Sequence, residues 1–215
     1  METLKKDWLS LIILVIPFLF IGFLWDRFPE QIATHFNLEG EADDYSGKVL
    51  GLFMIPLVNI GLYLLFKALP LLDPSGKTFA LYYNKFRIIQ LIIHCFMVLI
   101  FSLICFHSLG YSGDLQLPML YSILLIFLLL GNYMGNIRKN YFIGIRTPWT
   151  LANVHVWTLT HRLAAKVWVG ASLLTMAIIP FIPTPHLAFV VYLGVIILIP
   201  VVYSFIIFKK VTHES

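Results

Sequence analysis

The side chains best equipped for chemistry fall in four places along this chain. Arg138 to Arg162, reading RKNYFIGIRTPWTLANVHVWTLTHR, carries four Arg or Lys, two His and two Trp. Between Asp26 and Lys48, the stretch DRFPEQIATHFNLEGEADDYSGK surrounds His35 with acids. Asn59, Gln90 and His94 are lone polar residues inside long apolar runs, and Asn132, Asn136 and Asn140 recur every fourth residue beside Gly131 and Gly135.

Each place suggests its own chemistry. His35, Glu39, Glu41 and Asp43 are the residues a metal site would use, but their spacing matches no recognised ligand geometry and lacks a second His, so no metal is assigned. The simpler expectation is a solvated acidic loop with turns at Glu39-Gly40 and Ser46-Gly47. Its negative charge would concentrate a cationic ligand, such as a basic or amphipathic peptide, within the roughly 8 Å that physiological salt leaves unscreened. Gln31, His35, Asn37, Gly40 and Asp43 are the candidate binding residues there.

Polar groups deep in an apolar run are costly unless paired. Asn59 and His94, with Gln90 one helical turn from His94, therefore mark either a transport pathway or hydrogen bonds that hold helices together. On a helix, Asn132, Asn136 and Asn140 form one polar stripe beside a small-residue face that allows close backbone approach. That stripe would line a cavity or satisfy the backbone of the following loop. Catalysis finds no support, since the sequence holds no GxSxG elbow, HExxH or Walker loop and no paired carboxylate at the membrane surface. We expect no enzyme activity and no cofactor. Cys95 and Cys105 lie ten positions apart in one apolar run, about 15 Å along a helix, too far to pair.

The elements that position these residues follow from composition. With 60% hydrophobic and 12% charged residues in 215, the chain is far more apolar than a soluble domain. Apolar runs at about 8–25, 49–69, 86–106, 117–134, 163–182 and 187–208 each approach the roughly 20 residues that cross a bilayer. The first run lacks a small-residue cleavage site, so it reads as an uncleaved span. The expected fold is all-α, one membrane domain over residues 1–215 with six transmembrane helices, an outer loop at 26–48 and an inner loop at 135–162. With both termini inside, thirteen Lys or Arg and four acids fall on the inner side, and two Lys or Arg and seven acids on the outer side. That asymmetry is the positive-inside pattern, so the basic balance reflects topology and implies no nucleic acid.

Within the inner loop, Gly144 permits a turn at positive φ, Thr147 is a good N-cap and Pro148 a good first helical residue. Trp149, Ala152, Val156, Leu159 and Leu163 then recur at helical spacing, with Asn153, Thr160 and His161 mostly off that face. The expectation is an interfacial amphipathic helix running into the fifth span, its Arg138, Lys139, Arg146 and Arg162 near anionic lipid headgroups.

Two stretches resemble known sequences. FPEQIATHFNLEGEADDYSGK resembles a segment found in many small Gram-positive membrane proteins, of the form Leu/Phe-Pro-x-x-Ile-x-x-His-Phe-Asn followed by Gly-x-Ala-Asp. NYFIGIRTPWTLAN followed by VWTLTHRLAAKVW resembles the hallmark of the SdpI-type family, immunity proteins against a secreted sporulation-delaying toxin. The resemblance implies a six-span protein of the bacterial cell membrane that protects its producer from a membrane-active toxin peptide. In the best-known member it also implies signalling, by recruitment of a cytoplasmic transcriptional repressor. Carried over by position, the motif residues are Asn140, Gly144, Arg146, Thr147, Pro148, Trp149, Asn153, Trp157, Thr160 and His161, and with Arg162 they form the candidate set for ligand or regulator. The chain departs from the family at His155, Thr158 and Leu159, where an acid commonly precedes the Val-Trp pair and bases follow it. Implied partners are membrane lipids, the toxin peptide and the repressor. The alternative is a small transporter or channel using Asn59 and His94.

Overall fold

A computed structural model describes residues 2–72, 79–111, 113–140 and 142–213. Asp73, Lys77 and Glu214, which enter the charge count above, lie outside the described residues. The chain runs α1 (Glu2–Leu24), a single 3₁₀ turn (Trp25–Arg27), β1 (Gln31–Phe36), β2 (Ala42–Gly47), α2 (Lys48–Leu72), α3 (Phe79–Ser108), α4 (Gln116–Met134), α5 (Pro148–Ala152), α6 (Val154–Ile178), a second 3₁₀ turn (Ile179–Phe181) and α7 (Pro185–His213). Six helices, α1 to α4, α6 and α7, are long and apolar enough to cross a membrane. Their outward residues are as greasy as their inward ones: Leu19, Phe23, Leu64, Val191 and Leu198 are all exposed. In water such a surface would aggregate, whereas against lipid tails it is the expected one.

Helix is not the whole fold. The outer segment is a two-stranded antiparallel hairpin, with Gln31 opposite Gly47 and Phe36 opposite Ala42. Its tip follows the expected Glu39-Gly40 turn: Gly40 lies at φ 82 and its N–H donates to the Asn37 carbonyl. Ser46-Gly47, by contrast, is no turn, because both residues pair within β2. Lys48 N–H donates to the Glu30 carbonyl at 2.9 Å and closes the open end. The hairpin holds because Ile32 and Ala33 are buried, with Ile32 seated where a side chain on Gly51 of α2 would stand.

By backbone contacts the chain divides into two compact units, residues 1–71 with 90–122, and residues 72–89 with 123–215. In the first, Ile21, Phe28, Ile32, Leu52, Phe101, Ile104 and Cys105 form one core joining α1, the hairpin, α2 and α3. Phe20 stands edge-on to Phe28 and Phe101, a favoured aromatic geometry. Away from that core, Asp7 of α1 and Lys67 of α2 form an ion pair. Gln116 Nε2 donates to the Leu38 carbonyl at 2.8 Å, tying the hairpin tip to the start of α4.

In the second unit α6 and α7 run side by side. Trp168 Nε1 donates to the Ile196 carbonyl at 2.9 Å, and the Ser172 and Tyr192 hydroxyls meet at 2.8 Å. Phe127 of α4 stands edge-on to Trp168 at 5.1 Å. Gly131 of α4 and Gly135, just past its end, allow close approach to α6, since a Cβ on either would press on Trp168 or Ala165. The small-residue face read from the sequence is thus a packing face.

Candidate functional site

The motif stretch is a loop clasped onto α6. Asn140, buried, donates from Nδ2 to the Arg138 and Ile143 carbonyls at 2.9 and 3.0 Å. Its Oδ1 accepts from the Phe142 and Ile143 N–H groups at 2.8 and 2.7 Å. Four bonds use the whole capacity of a carboxamide, so Asn140 works as a turn staple. The staple delivers the chain to Gly144 at φ 125, where a Cβ would overlap His161 Nε2 and crowd the Trp157 ring.

Beyond Gly144 the Ile145 N–H donates to His161 Nε2 at 2.9 Å, and His161 Nδ1 donates to the Trp157 carbonyl at 2.8 Å. One ring nitrogen accepting and the other donating defines a neutral imidazole with its proton on Nδ1. The Trp157 ring stacks on His161 with centroids 4.1 Å apart, and its Nε1 donates to the Ile137 carbonyl at 2.8 Å. Ile137 and Ile145, on either side of the Asn140 turn, are thereby fastened to successive turns of α6.

The end of the loop is capped as the sequence suggests. Thr147 Oγ1 accepts from Thr150 N–H at 3.2 Å and Thr150 Oγ1 accepts from Thr147 N–H at 3.0 Å, a reciprocal cap with Pro148 as first helical residue. Thr150 Oγ1 also reaches the Ile145 carbonyl at 2.8 Å, and Thr147 Oγ1 meets Ser204 Oγ of α7 at 3.1 Å. Trp149 packs on Phe205 of α7 at 5.0 Å.

Three expectations need correction. The helix begun at Thr147 does not run unbroken into the fifth span: Asn153, at φ −135 and ψ 126, ends α5 and caps α6, its Oδ1 accepting from His155 and Val156 N–H. The buried face of α6 in this region is Val156, Trp157, Thr160, His161 and Ala164, so Thr160 and His161 are fully enclosed rather than off the packed side. The loop's backbone supplies what apolar spacing could not reveal, a polar partner for His161. Finally, α4 ends at Met134, and Asn136 and Asn140 lie beyond it, so the three asparagines form no helical stripe. Asn136 N–H instead turns back onto the Tyr133 carbonyl, and the Asn140 side chain holds the loop's own backbone.

Arg146, Pro148 and Arg162 are exposed around this clasp. Thr160 Oγ1 is buried without a hydrogen-bond partner among the described residues. Thr150 and Ser204 belong to the assembly but were not singled out by the sequence. The Thr-Pro-Trp-Thr run held the signal for Thr150, at the N3 position of a capping box; nothing marked Ser204.

The other candidates separate cleanly. Asn59, Gln90 and His94 do meet: His94 Nδ1 donates to Asn59 Oδ1 at 2.6 Å, Gln90 Nε2 donates to His94 Nε2 at 3.3 Å, and all three are buried with Tyr63 and Phe66 rings close by. Both His94 nitrogens are engaged within the triad, the arrangement of interhelical glue. On the hairpin, His35 Nδ1 and Asp43 Oδ1 pair at 2.5 Å on an exposed surface that also carries Gln31. Asn37 serves the turn, its Oδ1 accepting from Glu39 and Glu41 N–H, and Gly40 lies against Gln116. Among the described residues no three His, Cys, Asp or Glu converge as metal ligands would.

The SdpI/YfhL protein family matches residues 136–204, from the start of the clasp to the Ser204 that meets Thr147. A domain of unknown function (DUF1648) matches residues 12–60, which take in most of α1, the hairpin and the first half of α2. "Immunity protein SdpI" of Bacillus subtilis (strain 168) is 32% identical over 168 residues, covering 77% of each chain. No solved structure gives a significant match.

Proposed function

Because the chain belongs to the SdpI/YfhL protein family, we propose that it is an immunity protein, a multi-pass protein of the bacterial cell membrane that protects its cell from a secreted, membrane-active toxin peptide. The observation that carries this reading is the 32% identity to an immunity protein over 77% of both chains. The uneven distribution of Lys and Arg supports a topology with both termini inside and the hairpin outside. In that topology the acidic hairpin is the first surface a cationic peptide meets, and the α6 clasp faces the cytoplasm.

Protection by sequestration needs only that peptide bind the bundle. Signalling needs more, because the peptide must bind one arrangement of the bundle more tightly than another before the inner face can change. A full switch, from about 1:99 to 99:1, requires roughly 10⁴-fold differential affinity. In this reading the clasp is the output, Arg146 and Arg162 are its exposed cations, and a cytoplasmic repressor is the partner.

The test is survival. Deleting the gene should sensitise the cell to its cognate toxin peptide, and restoring it should rescue. Arg146→Ala should still rescue while failing to retain a cytoplasmic partner on peptide-treated membranes. Unchanged sensitivity of the deletion strain to secreted membrane-active peptides would remove the immunity reading altogether.

A further inference from the structure

Between α6 and α7 lies a groove of about 370 Å³, almost wholly apolar, lined by Leu163, Leu198, Ile199, Val202, Tyr203 and Ile206. Its volume lies within the roughly 300 to 1,000 Å³ range of small-molecule sites. Ile199, Val202 and Ile206 form one stripe along α7, and Lys209 and Lys210 follow Ile206 by three and four residues, on the same side of the helix. The groove therefore runs straight into two exposed lysines. From Leu198 to Lys209 is about 16 Å of helix at 1.5 Å per residue. One leaflet's share of a bilayer's hydrocarbon is about 15 Å.

The head end is built for an interface. Lys209 Nζ stands 4.7 Å from the centre of the Phe205 ring, and Trp149 packs against that ring. Trp at the end of an apolar stretch is typical of the headgroup level. From Leu115 to His213 the sequence contains no Asp or Glu.

We propose that this groove is an anionic phospholipid site, with one acyl chain along Leu198 to Ile206 and the phosphate at Lys209 and Lys210. An acyl chain satisfies the apolar lining, its length fits the stripe, and the headgroup's negative charge meets the lysines. Zwitterionic lipid offers the same chain without net charge and binds more weakly.

Native mass spectrometry and lipid titration of the purified full-length protein in detergent test this, using phosphatidylglycerol and phosphatidylcholine of identical acyl chains. Wild-type protein should retain phosphatidylglycerol preferentially. K209Q/K210Q should weaken that binding roughly 30-fold, the product of two headgroup-level cations, and leave phosphatidylcholine unchanged. Val202→Trp, at an exposed position, should fill the groove and weaken both lipids. Equal retention of the two lipids by wild-type protein, or undiminished phosphatidylglycerol binding in K209Q/K210Q, overturns the site. So does a concentration-dependent dimer that Val202→Trp abolishes, which would give the groove to a second copy. Saturable binding of an acidic helical peptide that displaces phosphatidylglycerol would likewise assign it to a protein partner.

Discussion

Gly144 shows how much rests on single atoms in the clasp. At φ 125 it occupies a conformation costly to any residue with a Cβ, and that Cβ would displace His161 from the Ile145 N–H. Backbone strain of about 1–3 kcal/mol and a lost buried hydrogen bond of about 1 kcal/mol act together. Gly144→Ala should therefore cost about 3 kcal/mol in a denaturation of the detergent-solubilised protein. Gly170→Ala is the control, because nothing stands within 4 Å of a Cβ there and it should be neutral or slightly stabilising. Equal unfolding midpoints for Gly144→Ala and wild type would remove this account of the clasp. The sequence made Gly144 and Thr147-Pro148 legible, since each has a backbone requirement tied to its residue type. Thr160 and His161 were not legible as buried: the partner of His161 is a main-chain N–H, which no side-chain pattern announces.

At the scale of elements, apolar run length located all six long helices, because a bilayer imposes that length whatever the packing. The fifth apolar run, 163–182, marks only the later part of α6, which begins at Val154 after the break at Asn153 in the helix expected to run on from Thr147. The hairpin escaped for a different reason. ADDYSG offers no apolar alternation, and β2 exists through pairing with β1, whose Ile32 and Ala33 are buried and whose Phe36 packs against the core. Asn153 is the element-level test, since its Oδ1 caps α6 through two backbone N–H groups. Asn153→Ala should cost about 1 kcal/mol and speed amide exchange at His155 and Val156, with Ser172 and its neighbours unaffected. Unchanged protection at those two amides would mean that α6 starts without its cap.

Over the whole molecule, topology is the property on which the functional reading turns, and the charge count is its present support. In a Cys95→Ala, Cys105→Ala background, Tyr45→Cys on the hairpin should react with a membrane-impermeant maleimide on intact cells. Lys210→Cys should react only after lysis. The reverse pattern would turn the clasp outward and make it, not the hairpin, the toxin's first contact. The clasp also carries a mechanical consequence. Trp157 and His161 are one turn apart on α6, and from them hang the Ile137 carbonyl and the Ile145 amide. Two fastenings on one shaft fix a plate where a single one would leave a pivot. A roll of α6 about its own axis then carries Ile137 and Ile145 together. A slide along that axis is opposed by Gly131 and Gly135 against Trp168 and Ala165. Arg146 stands between the Ile145 fastening to α6 and the Thr147 contact with Ser204 of α7, so it registers the position of both helices.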